Sequence, residues 1–278
     1  MKLVKEYLND KNTDAASIAA SLLKDENFNM LLNTYNFTKV YTYIKRNCEN
    51  YPRVISYITH MLLDMDINPL DYIKNNIIPE CYLYNSKTIK QFKIPKNIKR
   101  IQCDAFWNST LESVDFSDCP DVTIGSRAFN DCNLKTLDLS QTNISILEND
   151  SFRYNKNLSD VKLPKTIKQL RYGCFYDAGF KTIELPEGLE EIREYVFGSN
   201  DNLKVVKIPA SVYRLDKEAF AYCGNIEHFE IHKDSKLEKL SLDTFWTFAN
   251  SLKTLILPER FRPMVERAKW FTIKVTYN

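Results

Sequence analysis

The chain has 278 residues, 44% of them hydrophobic, so it can bury a core in one extended domain or in two ordinary ones. Its 38 basic and 36 acidic residues leave a formal net charge of +2, which argues against a protein that grips a polyanion. The seven cysteines include no Cys-x-x-Cys pair, and no apolar segment approaches the roughly 18 residues of a membrane span. Because charged residues interrupt the N-terminal segment almost at once, we expect no secretory signal, reduced thiols and a cytoplasmic, intracellular protein.

Residues 1–85 contain no glycine and show helical periodicity. Thr13 or Asp14 could cap the first helix, and Pro52 and Pro69 stand where prolines open helices. The pattern predicts helices over residues 15–24, 28–44, 54–65 and 70–77. We expect an α-helical bundle that covers the open N-terminal end of the next domain.

An internal repeat occupies the rest of the chain. A phenylalanine recurs every 22 to 25 residues, at Phe106, Phe129, Phe152, Phe175, Phe197, Phe220 and Phe245. A second series of apolar residues keeps step with it, at Ile94, Phe116, Leu139, Leu163, Leu185, Ile208, Ile231 and Leu257. Two series with one period predict a stack of similar coils, and a stack of this kind offers a long surface for binding.

The clearest repeat runs from Phe180 to Phe197. Apolar and polar residues alternate from Phe180 to Leu185, which predicts a half-buried strand, and Pro186 ends it because proline lacks a backbone N–H. Leu189 and Ile192 are expected to point into the core, and Phe197 to fill the middle of the coil. One strand from each coil predicts a parallel sheet over about eight coils.

These residues resemble the BspA-like leucine-rich repeats, whose units read L-x-x-[IV]-x-[IL]-P, then I-x-x-I, then A-F-x-x-C. Good copies include Ile94-Pro95, Leu163-Pro164, Leu185-Pro186, Ile208-Pro209 and Leu257-Pro258. Ala128-Phe129 and Ala219-Phe220 are followed by the family's cysteine, at Cys132 and Cys223, which we expect to be buried. The resemblance covers about residues 88–278.

The resemblance implies a leucine-rich-repeat solenoid over residues 86–278. The helical pattern over 1–85 lies outside the resemblance, and together the two predict an α+β protein with an α-helical N-terminal capping domain. A short helix over 261–270 and a strand over 272–277 are expected to close the C-terminal end. Many members of the family are secreted or surface-attached adhesins. We expect neither a leader nor a wall anchor in this chain, so the adhesin role is not expected here.

The sequence offers no catalytic motif. It has no glycine-rich phosphate loop and no G-x-S-x-G turn. His228 and His232 lie on one predicted strand about 13 Å apart, too far to share a zinc ion. We therefore expect no enzyme, no cofactor and no metal. An enzyme would need a site at the junction of the two domains, near Glu80, Cys81 and Asp104, where no motif is visible.

The outward face of the predicted sheet is the candidate binding surface. Alternation directs the predicted partner-binding residues Asp115, Asp138, Asp160, Lys162, Glu184, Lys207, His228 and Glu230 away from the core. With Lys93 on the same face, three lysines stand against five carboxylates, which favours a protein partner with a basic or mixed-charge surface and disfavours nucleic acid. Stacking is also expected to place Asp115 beside Asp138, which costs stability unless a cation or a basic partner lies there.

Two alternatives for the surface stay open. The face could be merely solvated, and the aromatic residues Trp107, Tyr154, Tyr176, Tyr222 and Trp246 could form a second patch along one edge or pack within turns. Our expectation is a non-catalytic protein-interaction scaffold for an intracellular partner. Because we expect no signal, and because Asn, Lys, Ile and Tyr are abundant, we further expect a virus- or phage-encoded inhibitor of a host complex. A nucleic-acid-associated protein is the alternative.

Overall fold

In the computed structural model the described residues are 36–48, 50–72, 75–268 and 273–278, together with 17, 19, 21, 22 and 24. Among residues 36–72, two helices precede the repeats, α1 (Phe37–Asn47) and α2 (Tyr51–Asp64). The Asn36 side chain accepts a hydrogen bond from the Lys39 N–H at 3.4 Å and so caps α1. The helices pack through aliphatic side chains and through a buried hydrogen bond of 3.0 Å between the hydroxyl groups of Tyr41 and Thr59.

The predicted helical bundle is not confirmed, although a few helices lie near the N-terminus. Residues 28–35 lie outside the described residues, as does most of the helix predicted over 15–24. The helix predicted over 70–77 is instead a short 3-10 helix, Pro69–Tyr72, followed by strand β1 (Ile77–Ile78). Asn76 adopts a left-handed backbone with φ of 56°, which ends a right-handed helix. The first strand thus lies before the predicted boundary at residue 85, which itself stays a prediction.

The repeats form a solenoid of parallel strands. The first row, which we call the strand face, comprises β2 (Gln91–Lys93), β4 (Ser113–Asp115), β6 (Thr136–Asp138), β8 (Asp160–Lys162), β11 (Val205–Ile208), β13 (His228–Ile231), β14 (Thr254–Leu257) and β15 (Val275–Tyr277). The second row adds to β1 the strands β3 (Arg100–Ile101), β5 (Thr123–Ile124), β7 (Ile146–Leu147), β9 (Gln169–Leu170), β10 (Glu191–Ile192) and β12 (Arg214–Leu215). Every described strand pair is parallel, so each coil follows its predecessor in the same direction.

The phenylalanine turns form the third side of the solenoid. From Phe106 to Phe220 the rings stack face to face from coil to coil, with centroids 4.8 Å apart for Phe106 and Phe129 and 5.4 Å for Phe129 and Phe152. In most coils, the residues two before and two after the phenylalanine have left-handed backbones, which curl the chain tightly around the ring. The Phe129 N–H donates to the carbonyl of Ser151 in the next coil at 2.9 Å, so consecutive turns are hydrogen-bonded as well as stacked.

In four coils the side chain three residues after the phenylalanine, an asparagine or a cysteine, ties the turn to the one before. The Asn155 amide donates to the carbonyl of Phe129 at 2.8 Å, and the Asn200 amide to that of Phe175 at 2.9 Å. Cys132 and Cys223 occupy the same position, and the Cys223 thiol donates to the Phe197 carbonyl at 2.8 Å. The buried turn position is therefore also a hydrogen-bonding position, which satisfies carbonyl groups that would otherwise be unpaired in the core.

The C-terminal end holds a short helix, α3 (Arg262–Arg267), before β15. Strand β15 pairs in parallel with β14. The Arg260 guanidinium donates to the carbonyl of Leu237 at 3.1 Å and so ties this segment to the last coil. Residues 269–272, which include the end of the predicted helix and Trp270, lie outside the described residues.

The strand face is interrupted twice, unlike the continuous sheet expected from the repeats. Strands β4 and β6 form no ladder, and the predicted strand from Phe180 to Leu185 keeps a single bridge, between Thr182 and Val205. Two features of the sequence coincide with the second interruption. Phe180 fills the buried position that is leucine at 158 and 203, and Gly179 approaches the preceding coil so closely that a Cβ there would lie 2.2 Å from the Lys156 carbonyl oxygen.

Candidate functional site

The second interruption opens a groove on the strand face between β8 and β11. It has a volume of about 1080 Å³. The predicted residues Asp160, Lys162, Glu184, Lys207 and Glu230 line it. The structure therefore brings together five residues that the sequence spread over four coils. We call this cavity the sheet groove.

Apolar residues of the core are partly uncovered in the sheet groove. At the middle position of the strand, Leu137 and Val206 in other coils are 2% and 0% exposed, whereas Val161 is only half-buried. At the last strand position, Leu139 is fully buried while Leu185 is half-buried. The groove thus combines an apolar floor with a charged rim, which is the usual make-up of a binding cleft.

Two ion pairs on the rim are already made within the protein. The Lys162 ammonium lies 3.3 Å from a carboxylate oxygen of Asp138, and that of Lys207 lies 3.9 Å from Glu230. Exposed ion pairs of this kind contribute about 0–1 kcal/mol each to stability. Replacing one member of a pair with a charged group of a partner therefore costs little free energy.

The other rim charges are uncompensated. The carboxylates of Asp160, Glu184 and Glu187 and the ammonium group of Lys165 form no ion pair with another described residue. Three carboxylates against one ammonium group leave an excess of negative charge. The groove therefore attracts positive charge.

Asp115 and Asp138 lie outside the groove and have a local structural role. In their coils an Asp-x-Ser turn replaces the proline that ends other strands, and the Ser117 and Ser140 N–H groups donate to the two carboxylates at 2.8 and 2.9 Å. The Ser117 N–H lowers the pKa of the Asp115 carboxyl group, and the Ser140 hydroxyl, which donates at 2.6 Å, together with the Ser140 N–H lowers that of Asp138. Each also has a lysine beside it in the ladder, Lys93 at 3.6 Å from Asp115 and Lys162 beside Asp138. The repulsion expected between them is thus compensated within the protein.

His228 is exposed on β13 but does not line the groove, whereas His232, which was not predicted, does. Sequence reasoning also missed Lys165 and Glu187 as rim residues. They follow the strand-ending prolines Pro164 and Pro186, so the signal was a charged residue just after the repeated proline. The alternation of inward-facing and outward-facing residues ends at the proline. It therefore did not predict which way the side chains of Lys165 and Glu187 point.

The aromatic residues on the turn side form a second exposed feature, which we call the tyrosine row: Tyr154, Tyr172, Tyr176, Tyr195 and Tyr222. Tyr222 is 61% exposed, and Trp246 beyond it is 70% exposed. Tyr176 is half-buried, and the Arg153 guanidinium lies 4.1 Å from its ring centroid. Trp107, further along, is half-buried against Tyr84 and Arg127. The predicted edge patch is therefore partly exposed and partly packed within turns.

The buried thiols are poorly suited to nucleophilic chemistry. Burial raises the pKa of both Cys132 and Cys223 to about 12, so the reactive thiolate is scarce at neutral pH. Within the described ranges, no three His, Cys, Asp or Glu side chains lie close enough together to hold a metal ion.

The junction between helices and solenoid contains a second, smaller cavity of about 210 Å³. This volume is below the roughly 300–1,000 Å³ typical of ligand pockets. The Glu80 carboxylate in its wall is engaged by the Lys45 ammonium and by the Tyr51 hydroxyl at 2.8 Å. Asp104 forms a bidentate pair with Arg127, with nitrogen–oxygen distances of 2.7 and 3.0 Å, and burial raises the pKa of Cys81 to about 12. The junction residues are thus committed to structural contacts.

The repeats match the family model of the BspA type leucine rich repeat region in six copies, over residues 75–204 and 122–251. The chain belongs to this family. Proteins of the BspA-type leucine-rich-repeat family are generally non-enzymatic binding or surface proteins. A search of curated proteins finds no match. Among the described residues of this BspA-type protein, no helix has the length and apolar character needed to cross a bilayer.

Several solved structures of leucine-rich-repeat proteins are similar to this BspA-type chain. A leucine rich cell surface protein from Faecalibacterium prausnitzii A2-165 is 15% identical over 62% of this chain, with a TM-score of 0.37. The aligned part spans only 59% of that protein. The T. pallidum leucine rich repeat protein TpLRR is 16% identical over 70% of this chain and 87% of its own, with a TM-score of 0.40. The pneumococcal vaccine antigen PcpA is 15% identical over 61% of this chain and 56% of its own, with a TM-score of 0.36.

Proposed function

We propose that this protein is a non-catalytic interaction scaffold that binds a protein partner through the strand face, centred on the sheet groove. The observation that carries the proposal is the groove itself, where a partly uncovered apolar floor meets a rim of uncompensated carboxylates. Such a surface favours a partner segment with basic or mixed charge. It disfavours phosphate groups, which lysine and arginine would have to surround.

The frame around the groove supports the same role. The rings of Phe152, Phe175 and Phe197 belong to the coils that line the groove and stack on one another, with centroid separations of 5.7 and 6.3 Å. Closely packed interiors of this kind hold their shape, so little ordering entropy is lost when a partner binds. Affinity can then come from contacts at the groove rather than from folding around the partner.

The cytoplasmic location and the role of a virus- or phage-encoded inhibitor stay predictions from the sequence. The similar F. prausnitzii protein is a leucine rich cell surface protein. Partners from a lysate and from an extracellular fraction should therefore both be offered to this chain. The proposal concerns the surface that binds and applies to either source.

The proposal is tested by affinity capture with the intact chain, followed by mass spectrometry. The double variant Glu184→Lys and Glu187→Lys reverses two uncompensated groove carboxylates and should weaken capture by ~10-fold or more, because attraction becomes repulsion. Folding should be unaffected, since surface changes of this kind move stability by about 0.5 kcal/mol or less. The matched control is Asp201→Lys with Glu238→Lys, which makes the same change in net charge at exposed positions outside the groove.

Equal loss in both double variants would mean that total charge, not the groove, governs capture. A partner that both variants retain would remove the groove from the interface. Each capture is repeated after nuclease treatment. Partners lost on that treatment would replace the proposal with the nucleic-acid-associated alternative.

A further inference from the structure

The edge of β8 that faces the sheet groove carries backbone groups without a hydrogen-bond partner in the described backbone. In two other coils the N–H that follows the strand donates to the next coil: Ile94 to the Asp115 carbonyl at 3.0 Å, and Leu139 to the Lys162 carbonyl at 2.9 Å. Leu163 occupies the same position at the groove, and its N–H has no backbone partner among the described residues. Because Leu163 is 8% exposed, this donor is poorly placed for solvent, and a buried unpaired N–H is costly.

Val161 presents a second unpaired group on the same edge. The Lys162 carbonyl points toward β6, since it accepts from Leu139. In a parallel strand successive residues direct their backbone groups to opposite neighbours, so the Val161 carbonyl points into the groove. Residues 180–188 should supply its partner, but the described backbone of this segment makes no hydrogen bond to the preceding coil. The groove side of β8 is therefore an open strand edge inside the sheet.

The two ends of the opposing segment explain why the edge stays open. Gly179 lies against the Lys156 carbonyl, and its N–H still donates to the Leu158 carbonyl at 3.2 Å. At Gly188 a Cβ would lie 3.2 Å from the Lys165 carbonyl oxygen, and pairing with the preceding coil resumes at Glu190, whose N–H donates to Lys168. The segment is thus held close at both ends and unpaired between them, which leaves the groove side of β8 without a paired strand.

We infer that the sheet groove takes an extended, basic peptide segment of the partner as an added strand, paired with the open edge of β8 at Val161 and Leu163. This inference rests on the proposed function and names the form of the partner. Main-chain hydrogen bonds to an exposed edge would supply affinity, and alternate side chains would supply specificity. Apolar side chains would cover the half-buried Val161 and Leu185. The intervening basic side chains would face Asp160, Glu184 and Glu187.

The test uses the full chain and a decapeptide of alternating lysine and valine. Two matched peptides serve as controls, one with alternate backbone nitrogens methylated and one with glutamate in place of lysine. Dissociation constants are measured by titration calorimetry, and amide hydrogen exchange is followed at Val161 and Leu163. We expect the lysine peptide to slow exchange at Leu163. Methylation should weaken binding by ~10-fold, which is what losing one or two net hydrogen bonds implies.

The outcomes separate this inference from the function on which it rests. A lysine peptide that binds without slowing exchange at Leu163, or that tolerates methylation, contradicts strand addition, as does the absence of binding. In each case capture that still depends on Glu184 and Glu187 leaves the scaffold intact. Peptide binding with protection at Leu163, together with partner capture that ignores the groove variants, would uphold strand addition and overturn the groove as the partner's site.

Discussion

At the scale of single residues, the coils are held by a buried phenylalanine and, in four of them, by an asparagine or cysteine three residues later. Phe175 is fully buried and stacks between Phe152 and Phe197, with interplanar angles of 14° and 7°. Asn200, also fully buried, donates to the carbonyl groups of both Phe175 and Phe197. The ring fills the interior of the coil. The amide donates hydrogen bonds to carbonyl groups of the turn, where the backbone does not pair as a regular strand. The outward-facing side chains of the strand face have no comparable structural role, except for Asp115 and Asp138, which form turns.

Replacing Phe175 with alanine should lower the free energy of unfolding by ~3–5 kcal/mol, because it leaves a cavity between two stacked rings. Denaturant unfolding followed by circular dichroism measures the change. The control is Tyr154→Ala on the tyrosine row, which is 37% exposed and should cost much less. A similar loss in both variants would contradict the assignment of Phe175 to the core.

At the scale of elements, neighbouring coils are joined by charge as well as by backbone. Glu227 lies between two lysines of the adjacent coils, with its carboxylate oxygens 2.9 Å from the Lys204 ammonium and 2.5 Å from that of Lys253. Glu112 makes the same bridge between Lys90 and Lys135 nearer the N-terminal end. These bridges lie at the position just before each strand. Most coils carry a charged residue there.

The Glu227 bridge predicts a defined loss of stability in acid. The hydrogen bonds from Lys253 and Lys204 lower the pKa of Glu227 from 4.5 to about 2. A folded-state pKa below the unfolded value gives stability that is present above pH 4.5 and is lost as the pH falls toward about 2. Thermal unfolding measured across this window should therefore show a steeper fall in Tm for the wild type than for Glu227→Gln.

The exposed Glu238, with no ion pair to another described residue, provides the control, since Glu238→Gln should leave the pH profile unchanged. Added salt should reduce the difference between wild type and Glu227→Gln, because both charges of each pair are near solvent. Parallel pH profiles for the wild type and Glu227→Gln would show that the bridge contributes nothing to folding.

At the scale of the whole molecule, one continuous core runs from the helices through the last coil. Tyr82 begins the aromatic stack at the helical end, 6.2 Å from the Phe106 centroid, and Phe229 joins Phe220 to Phe245 at the other end. In such an array each coil is stabilised mainly by its neighbours, so a loosened contact between two coils divides the stack into two parts. The missing ladder beside the sheet groove is such a place on the strand side alone, because the phenylalanine stack continues past it.

Gly179 should be essential for joining the two parts of the stack. Gly179→Ala would place a Cβ 2.2 Å from the Lys156 carbonyl oxygen, so the backbone must move, and we expect unfolding free energy to fall by ~1–3 kcal/mol. Gly224→Ala is the matched control, since a Cβ there would meet no atom within 4 Å. It should leave stability unchanged or raise it by ~0.4–1 kcal/mol through the unfolded chain. Equal behaviour of the two variants in a denaturant titration would contradict this role.

Much of the fold could be predicted because its determinants are local and repeated. The period of Phe106, Phe129 and Phe152 predicted the stack, and the pattern before Pro209 and Pro258 predicted the strands that precede them. The helices before the repeats were harder to predict. The segment from Leu70 to Ile77 has an apolar pattern compatible with a helix, yet the left-handed Asn76 and pairing with Arg100 make its end a strand. Tertiary pairing overrode a weak local preference there.

The sequence by itself determined that this chain is a leucine-rich-repeat solenoid whose strand face carries mixed charge, because alternation and period act over a few residues at a time. Only the tertiary structure decided that the face is interrupted between β8 and β11, and that Asp160, Glu184 and Glu230 gather around one groove. The segment from Phe180 to Leu185 has the clearest strand pattern in the sequence and the weakest pairing in the fold. Strand pairing depends on how each coil packs against its neighbours, through contacts such as that of Gly179 with Lys156. The sequence of a single repeat does not determine that packing.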